Sequence, residues 1–201
     1  MSIYKQVMGN EFFKLHPKLQ QRYESTSFRA TGVMYKIQGA PKLLAPLLRL
    51  GVKRKLLFPE HGKNIHFTIT NTPRIGANGE RQIHWERIFY FKEKKRFFNA
   101  LMSLDMERNI IKDYLGEPSL VYSDLMFFTT DGGALQILSK KQRLVLGKLE
   151  IPLPKFLQGL ATVTENYNEK IHAYQIKVNV KNPLIGTVFA YEGEFKDEDI
   201  L

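Results

Sequence analysis

The spacing of apolar positions predicts a helical beginning, one early strand and an amphiphilic segment in the first part of the chain. Between residues 1 and 24 apolar side chains recur every three or four positions, interrupted at Gly9 and Pro17, which predicts two or three short helices. A strand is predicted over residues 28–38. Residues 40–59 combine a run of leucines with a basic cluster and are predicted to form two short helical turns, an amphiphilic flap.

Beyond residue 60 the period of the pattern changes from helical to two, which is typical of strands with one buried face. Asn78-Gly79 marks a tight reversal between two such strands. About nine or ten strands fit before residue 195 without crossover helices, which favours an antiparallel meander that curls on itself. The predicted fold class is therefore α+β, mostly β: a curved antiparallel sheet, half-barrel or barrel with the short N-terminal helices packed on it.

No linker divides the 201 residues, so the sequence predicts a single domain over 1–201. Its expected parts are a helical N-terminal segment (1–24), the amphiphilic flap (40–59), the antiparallel meander (60–195) and an acidic tail (196–201).

The absence of cysteine excludes disulfides, thiolate zinc sites, iron–sulfur clusters and a cysteine nucleophile. The chain begins without the basic and apolar run of a secretory signal, and no window approaches the roughly 18 apolar residues of a membrane-spanning helix. These features predict a cytoplasmic protein.

The formal net charge of +10 favours an acidic partner, such as nucleic acid or an anionic membrane surface. The basic residues fall in short groups at expected hairpin ends, where solvated side chains are the simpler explanation. Nucleic acid is not expected as a partner, because no recognition motif accompanies these groups. The flap, with Lys53, Arg54 and Lys55 beside its leucines, fits peripheral contact with an anionic membrane or a core helix with a solvated basic end.

Arg87 is the residue that most strongly indicates a binding site, because alternation places it on the same strand face as Trp85 and Phe89. A guanidinium on an apolar face needs a carboxylate, several carbonyls or an anionic ligand. Glu165 is the expected counter-charge, and Asp124 is the second candidate. An ion pair that only stabilises the fold explains the pattern as well as a ligand site does.

Signatures of catalysis, metal binding and cofactor binding are absent from the sequence. It contains no Gly-x-Ser-x-Gly motif, phosphate loop or dinucleotide fingerprint, and its five histidines lack the close helical spacing of a zinc site. Asp113, Asp124, Glu165 and Glu192 are compatible with an acid and base pair, but such carboxylates are common in β-proteins. We therefore assign no catalytic residue, metal or cofactor, and favour a non-enzymatic role while leaving activity open.

Several local patterns along the chain belong together: the stretch 4–19 with Gly9 and Phe12, the run 85–89, the turn 131–135, Leu153-Pro154, and the closing 182–186 with 191–193. They resemble an uncharacterised bacterial family, the domain of unknown function 4166. The resemblance implies a bacterial protein whose relatives sit beside oxidoreductase-like or membrane-embedded partners. It implies no established activity.

The favoured function is that of a non-enzymatic binder, in which the curved sheet encloses an apolar cavity and Arg87 takes the anionic head group of an apolar or amphiphilic small molecule. One alternative is an accessory domain of an oxidoreductase-like enzyme, with Arg87 and Glu165 as a substrate clamp. Another is a peripheral module that docks on membranes or proteins. The sequence sets no oligomeric state. The residues expected to contact a ligand are Trp85, Arg87, Phe89, Asp124, Glu165 and Tyr191.

Overall fold

The computed structural model describes residues 2–25, 27–41, 44–147 and 149–198, and in these it contains three α-helices and twelve strands. The helices are α1 (Ile3–Met8), α2 (Pro17–Glu24) and α3 (Ala45–Lys53), and 3-10 helices span Gly9–Lys14 and Lys155–Leu157. The strands are β1 (Phe28–Gln38), β2 (Gly62–Ile75), β3 (Arg81–Phe91), β4 (Lys94–Phe97), β5 (Ala100–Asp105), β6 (Ile110–Gly116), β7 (Ser119–Thr129), β8 (Leu135–Leu146), β9 (Leu149–Pro152), β10 (Leu160–Asn168), β11 (Ala173–Asn182) and β12 (Gly186–Asp197).

Ten of the strands close into an antiparallel barrel, which confirms the predicted fold class. Neighbours follow chain order through β1, β2, β3, β5, β6, β7, β8, β10, β11 and β12, and the ring closes where β12 pairs with β1. The short strands β4 and β9 extend β3 and β8 outside the ring. Closure pairs the backbone of both ends of the meander, so the ring has no free sheet edge.

The wall of the barrel follows from the period-two pattern, as β3 shows. Ile83, Trp85, Arg87 and Phe89 are buried, whereas the residues between them are half-buried. Alternate side chains of a strand point to opposite faces, so this series lines the interior. Arg87 therefore lies on the inner face, as the alternation predicts.

The N-terminal helices close one end of the barrel, which we call the plugged end. Leu19 of α2 is fully buried there, and the Tyr4 hydroxyl of α1 accepts a hydrogen bond of 2.8 Å from the indole nitrogen of Trp85. The backbone nitrogen of His16 donates to the carbonyl of Gly133 in the β7–β8 turn at 2.9 Å. These contacts fasten the helices to β3 and to the β7–β8 turn.

The opposite end, which we call the cavity end, carries α3. The predicted flap differs from the structure, because residues 45–53 form one helix instead of two turns. Pro46 lies in the first turn of this helix, where backbone N–H groups have no hydrogen-bond partner within the helix, so a proline is tolerated there. Leu43, which belongs to the run of leucines in the predicted flap, lies outside the described residues. No helix in the described ranges is long and apolar enough to cross a membrane.

The predicted acidic tail begins inside the barrel wall. β12 runs to Asp197, and Lys196 and Asp197 pair with β1. The tail boundary at residue 196 is therefore wrong by at least two residues, because pairing with β1 continues the strand. Residues 199–201 lie outside the described part of the chain.

Candidate functional site

A cavity of about 400 Å³ lies inside the cavity end of the barrel. Inward-facing residues of β5 to β8 and of β10 to β12 form its wall. Leu44, Leu48 and Gly51, spaced along one helical face, cover it from above, and residues 153–159 cover the rest. Most of the lining side chains are apolar, among them Phe98, Leu125, Ile137, Val178 and Val188.

Buried amide side chains hold the covering segment 153–159 in place. The Gln158 amide donates to the carbonyl of Leu153 at 2.7 Å, and Asn182 donates to the carbonyls of Phe156 and Gln158 at 2.8 and 2.7 Å. Gln142 accepts from the backbone of the same segment at 2.7 Å. Because each of these buried polar groups has a partner, the cover is a preformed part of the site.

Two charged side chains, Arg87 and Asp113, interrupt the apolar lining. Arg87 Nε donates to the carbonyl of Phe98 at 2.6 Å, Nη1 donates to the Tyr191 hydroxyl at 3.5 Å, and the guanidinium lies 4.0 Å from the Phe98 ring centre. Among the described residues Arg87 forms no ion pair, and Asp113 Oδ1 has no hydrogen-bond partner. The cavity therefore holds a cation and a carboxyl group that are not joined by a direct contact.

Burial controls the protonation of Asp113. Removal of the carboxyl from water raises the pKa of Asp113 to about 6, although the nearby positive charge of Arg87 lowers it. The side chain thus changes from a hydrogen-bond donor to a charged acceptor in mildly acidic solution. A cation beside such a carboxyl can bind a polar head group by charge and by hydrogen bonds. No group of His, Asp and Glu within the described ranges is arranged to hold a metal ion.

The expected pairing of Arg87 with Glu165 is wrong, because Arg22 of α2 occupies that carboxylate. Arg22 Nη1 forms an ion pair with Glu165 Oε1, and the Tyr23 hydroxyl donates to Oε2 at 3.1 Å. Both charged side chains are only 1% exposed. Sharing an inward face with Arg87 did not make Glu165 its neighbour, because the carboxylate lies under the helical plug.

The second expected counter-charge, Asp124, forms an ion pair with Arg108 near the surface. Val121 and Leu125 of β7 line the cavity, and Phe127 packs against Tyr4. Asp124 therefore belongs to the alternate, outward-facing series of this strand, and the expectation that it faces Arg87 is wrong.

The other three expected contact residues lie inside the barrel but do not line the described cavity. Trp85 packs at the plugged end with its hydrogen bond to Tyr4. Phe89 and Tyr191 form an aromatic cluster with Phe58. The ring centre of Phe89 lies 5.1 Å from that of Phe58 and 5.3 Å from that of Tyr191. Of the six predicted residues, Arg87 alone belongs to the lining of the described cavity.

Two charged residues have roles that the sequence pattern indicates but that were not predicted: Arg22 was not named, and Asp113 was named only among four carboxylates compatible with an acid and base pair. Arg22 follows Leu19 by three positions and precedes Tyr23, so it lies on the buried face of α2. Asp113 alternates with Ile111 and Leu115 on β6, just as Arg87 alternates with its apolar neighbours. The test that selected Arg87 would also have selected Asp113 as a cavity residue.

Fold and site together define a closed, ten-stranded antiparallel β-barrel with an internal apolar cavity and one helical plug. The chain belongs to the family described as Domain of unknown function (DUF4166), whose profile matches residues 15–195 and confirms the resemblance. It is 43% identical over 201 residues to the uncharacterized protein YndH of Bacillus subtilis (strain 168), with 98% of each chain covered. No solved structure matches the chain.

Proposed function

We propose that this protein binds an apolar or amphiphilic small molecule in the barrel cavity. The cavity itself carries the proposal, because its volume of about 400 Å³ and its apolar walls are typical of small-molecule sites. Apolar cavities of this kind favour apolar ligands over water. Transfer of a ligand's apolar surface from water into the cavity supplies roughly 25 cal/mol for each Å² buried.

The polar end of the ligand is placed at Arg87 and Asp113. Arg87 lacks an ion-pair partner among the described residues, so an anionic head group such as a carboxylate supplies the missing counter-charge. Below its pKa of about 6 Asp113 is protonated and has a hydrogen to donate to the same head group, and an anion bound beside it favours this protonated form. A fatty acid has both the apolar body and the head group that these walls favour.

The alternative of a substrate clamp loses one of its two residues. Glu165 is bound by Arg22 and Tyr23, is only 1% exposed and does not line the cavity, so a substrate beside Arg87 does not reach it. The binder is the function that the remaining geometry favours.

Ala161→Phe is expected to abolish ligand binding without unfolding the protein. Ala161 lines the cavity, so a phenyl ring there occupies the ligand's volume while it fills apolar space. Titration with a fluorescent fatty acid such as dansyl-undecanoic acid measures the effect, which we expect to be at least tenfold in Kd, about 1.4 kcal/mol. The matched control is Thr162→Phe, because Thr162 is the next residue and points outward.

Equal affinity in the two phenylalanine variants would place any bound molecule outside this cavity. Native mass spectrometry of protein purified from its host provides a second measurement that does not depend on the chosen fatty acid. A small molecule that accompanies the wild-type protein and is missing from Ala161→Phe supports the proposal. An empty wild-type protein that also ignores the fluorescent fatty acid contradicts it.

Arg87→Met is expected to weaken binding of a carboxylate ligand while leaving its uncharged analogue nearly unaffected. A hydrogen bond to a charged group contributes about 1.5–3 kcal/mol, so the Kd of a fatty acid should rise roughly ten- to a hundredfold. The alcohol of the same chain length, measured by displacement of the fluorescent fatty acid, should change less than threefold, about 0.6 kcal/mol. Equal losses for acid and alcohol would show that Arg87 supports the cavity and does not bind the head group.

A further inference from the structure

The exposed apolar side chains of the protein are concentrated at the cavity end. Of the fourteen large hydrophobic residues that are exposed in the described chain, eight lie there, on α3, on the β8–β9 hairpin, on the cavity cover and in the β11–β12 turn. We call these eight the apolar rim: Leu50, Leu146, Leu149, Ile151, Phe156, Leu157, Leu184 and Ile185. A concentration of this kind marks an interaction surface, whereas single exposed hydrophobic residues do not.

The apolar rim continues directly into the cavity. Phe156, Leu157 and Ile185 are exposed on one side and line the cavity on the other. On the β8–β9 hairpin, Leu146 lies two positions after Leu144, which lines the cavity, and it pairs with Leu149 on the neighbouring strand. Leu146 and Leu149 therefore lie on the same face of the hairpin as Leu144. The rim is therefore the outer margin of the ligand site and not a separate patch.

Four cations stand around the apolar rim. Arg49 and Lys53 lie on α3, Lys155 precedes Phe156, and Lys181 lies near the end of β11. All four are exposed, and none forms an ion pair within the described part of the chain.

Nearby carboxylates leave this positive charge in excess. Glu60 and Glu117, in the connections at the same end, are held by Arg96 and Lys55. Glu150, on the opposite face of β9 from Leu149 and Ile151, accepts a hydrogen bond from the Tyr114 hydroxyl at 2.7 Å. The surface around the rim is therefore both apolar and positively charged.

We propose that the cavity end docks on the surface of an anionic lipid bilayer, with the apolar rim at the level of the head groups and the four cations on lipid phosphates and carboxylates. This combination of exposed apolar and basic side chains is what an interfacial protein presents to such a bilayer. A second copy of this chain fits less well, because a two-fold contact between rims would bring four cations against the same four. The docking itself does not depend on the proposed ligand.

Docking in this orientation also places the cavity mouth against the bilayer. A ligand with an apolar body would then pass between lipid and barrel without crossing water, and this consequence rests on the proposed function. Lipid-derived amphiphiles, such as fatty acids, are the class of ligand that such a route supplies.

Lys53→Gln/Lys155→Gln is expected to weaken binding to anionic vesicles about 30-fold, because each basic side chain near an anionic bilayer strengthens binding roughly fivefold. Sedimentation with phosphatidylserine–phosphatidylcholine vesicles measures the effect, and added salt should reduce the wild-type binding. The matched control, Lys18→Gln/Lys170→Gln, removes the same charge from exposed sites at the plugged end and should change binding less than threefold.

Leu149→Ser/Leu184→Ser tests how much the exposed leucines of the apolar rim contribute to vesicle binding. These side chains are 65% and 78% exposed and do not line the cavity, so the variant should fold and should keep its affinity for the fluorescent fatty acid. We expect about tenfold weaker vesicle binding for each lost side chain. The control, Ile75→Ser/Ile171→Ser, removes two exposed isoleucines at the plugged end and should bind as the wild type does.

Three outcomes would overturn the docking proposal. The first is a wild-type protein that does not sediment with anionic vesicles at low salt. The second is an equal loss in the cavity-end and plugged-end variants, which would show that net charge alone attracts the protein. The third is a stable dimer in analytical ultracentrifugation that Leu149→Ser/Leu184→Ser dissociates, which would make the rim a contact between two copies.

The Ala161→Phe variant separates docking from ligand binding. If it loses the fatty acid but sediments as the wild type does, both proposals are supported independently. If the wild-type protein sediments with vesicles but binds no fatty acid and carries no small molecule, only the ligand proposal fails.

Discussion

Arg22→Met is expected to destabilise the folded protein by about 3–5 kcal/mol, because it leaves the Glu165 carboxylate buried without its counter-charge. Urea denaturation followed by tryptophan fluorescence measures this loss, since Trp85 lies next to the Arg22 site. The midpoint should fall while the slope of the free energy of unfolding against urea stays the same.

The surroundings of Arg22 explain why the effect should be large. The centre of its guanidinium lies 4.4 Å from the Phe28 ring and 4.9 Å from the Phe195 ring, so it has exchanged water for aromatic faces. Arg22 belongs to α2, whereas Glu165 belongs to β10. The pair therefore fixes the helical plug to the barrel wall, and its loss affects both.

Two further variants test this interpretation. Arg29→Met removes an exposed ion pair with Glu198, whose members are 62% and 33% exposed, and should cost about 1 kcal/mol or less. Arg22→Met/Glu165→Leu removes both charges and should recover much of the stability lost in Arg22→Met. A loss below about 1 kcal/mol in Arg22→Met would contradict the buried geometry of the pair.

The fold class was predictable because each wall strand carries its own local pattern. Alternation such as that of β2 and β3 requires one buried face, and the lack of crossover helices leaves neighbouring strands antiparallel. The closure of the ring was left open among a sheet, a half-barrel and a barrel. It depends on the pairing of β1 with β12, whose paired residues Gly32 and Phe195 lie at opposite ends of the chain.

The candidate site was harder to predict, because facing inward does not specify a neighbour. Arg87 and Glu165 both belong to inward-facing series, but the Glu165 carboxylate lies at the plugged end, where α2 supplies its own arginine. The alternation of side chains within a strand does not predict where a helix distant in the sequence will dock.

The cavity itself was also invisible in the pattern. Leu48 and Val178 have the spacing of ordinary core residues, and both are buried. Whether such side chains fill the barrel or leave a cavity depends on how their total volume compares with the interior space that the width of the ring encloses. That sum is a property of the closed barrel and of no single segment.

The second large effect concerns the pH dependence of stability. In the folded protein the pKa of Asp113 is raised from 3.8 to about 6, chiefly by burial. Between these values the folded state keeps a proton that the unfolded chain has released, so stability falls as the pH rises from about 4 to about 6. Above that range both states are ionised and the loss stays constant. At about 1.4 kcal/mol for each pKa unit, the loss reaches roughly 3 kcal/mol.

Asp113→Asn should remove this loss, because an amide of nearly the same shape stays neutral at every pH in the range. We expect the variant to match the wild type near pH 4 and to be more stable by up to about 3 kcal/mol at pH 7, measured by urea denaturation at pH 4, 5.5 and 7. Asp124→Asn is the control, since its loss of the ion pair with the half-exposed Arg108 should lower stability by about 1 kcal/mol or less. If the stabilities of Asp113→Asn and the wild type run parallel from pH 4 to 7, the carboxyl titrates as it does in water. Asp113 would then be solvated in the cavity and would not serve as a protonated donor to a ligand's head group.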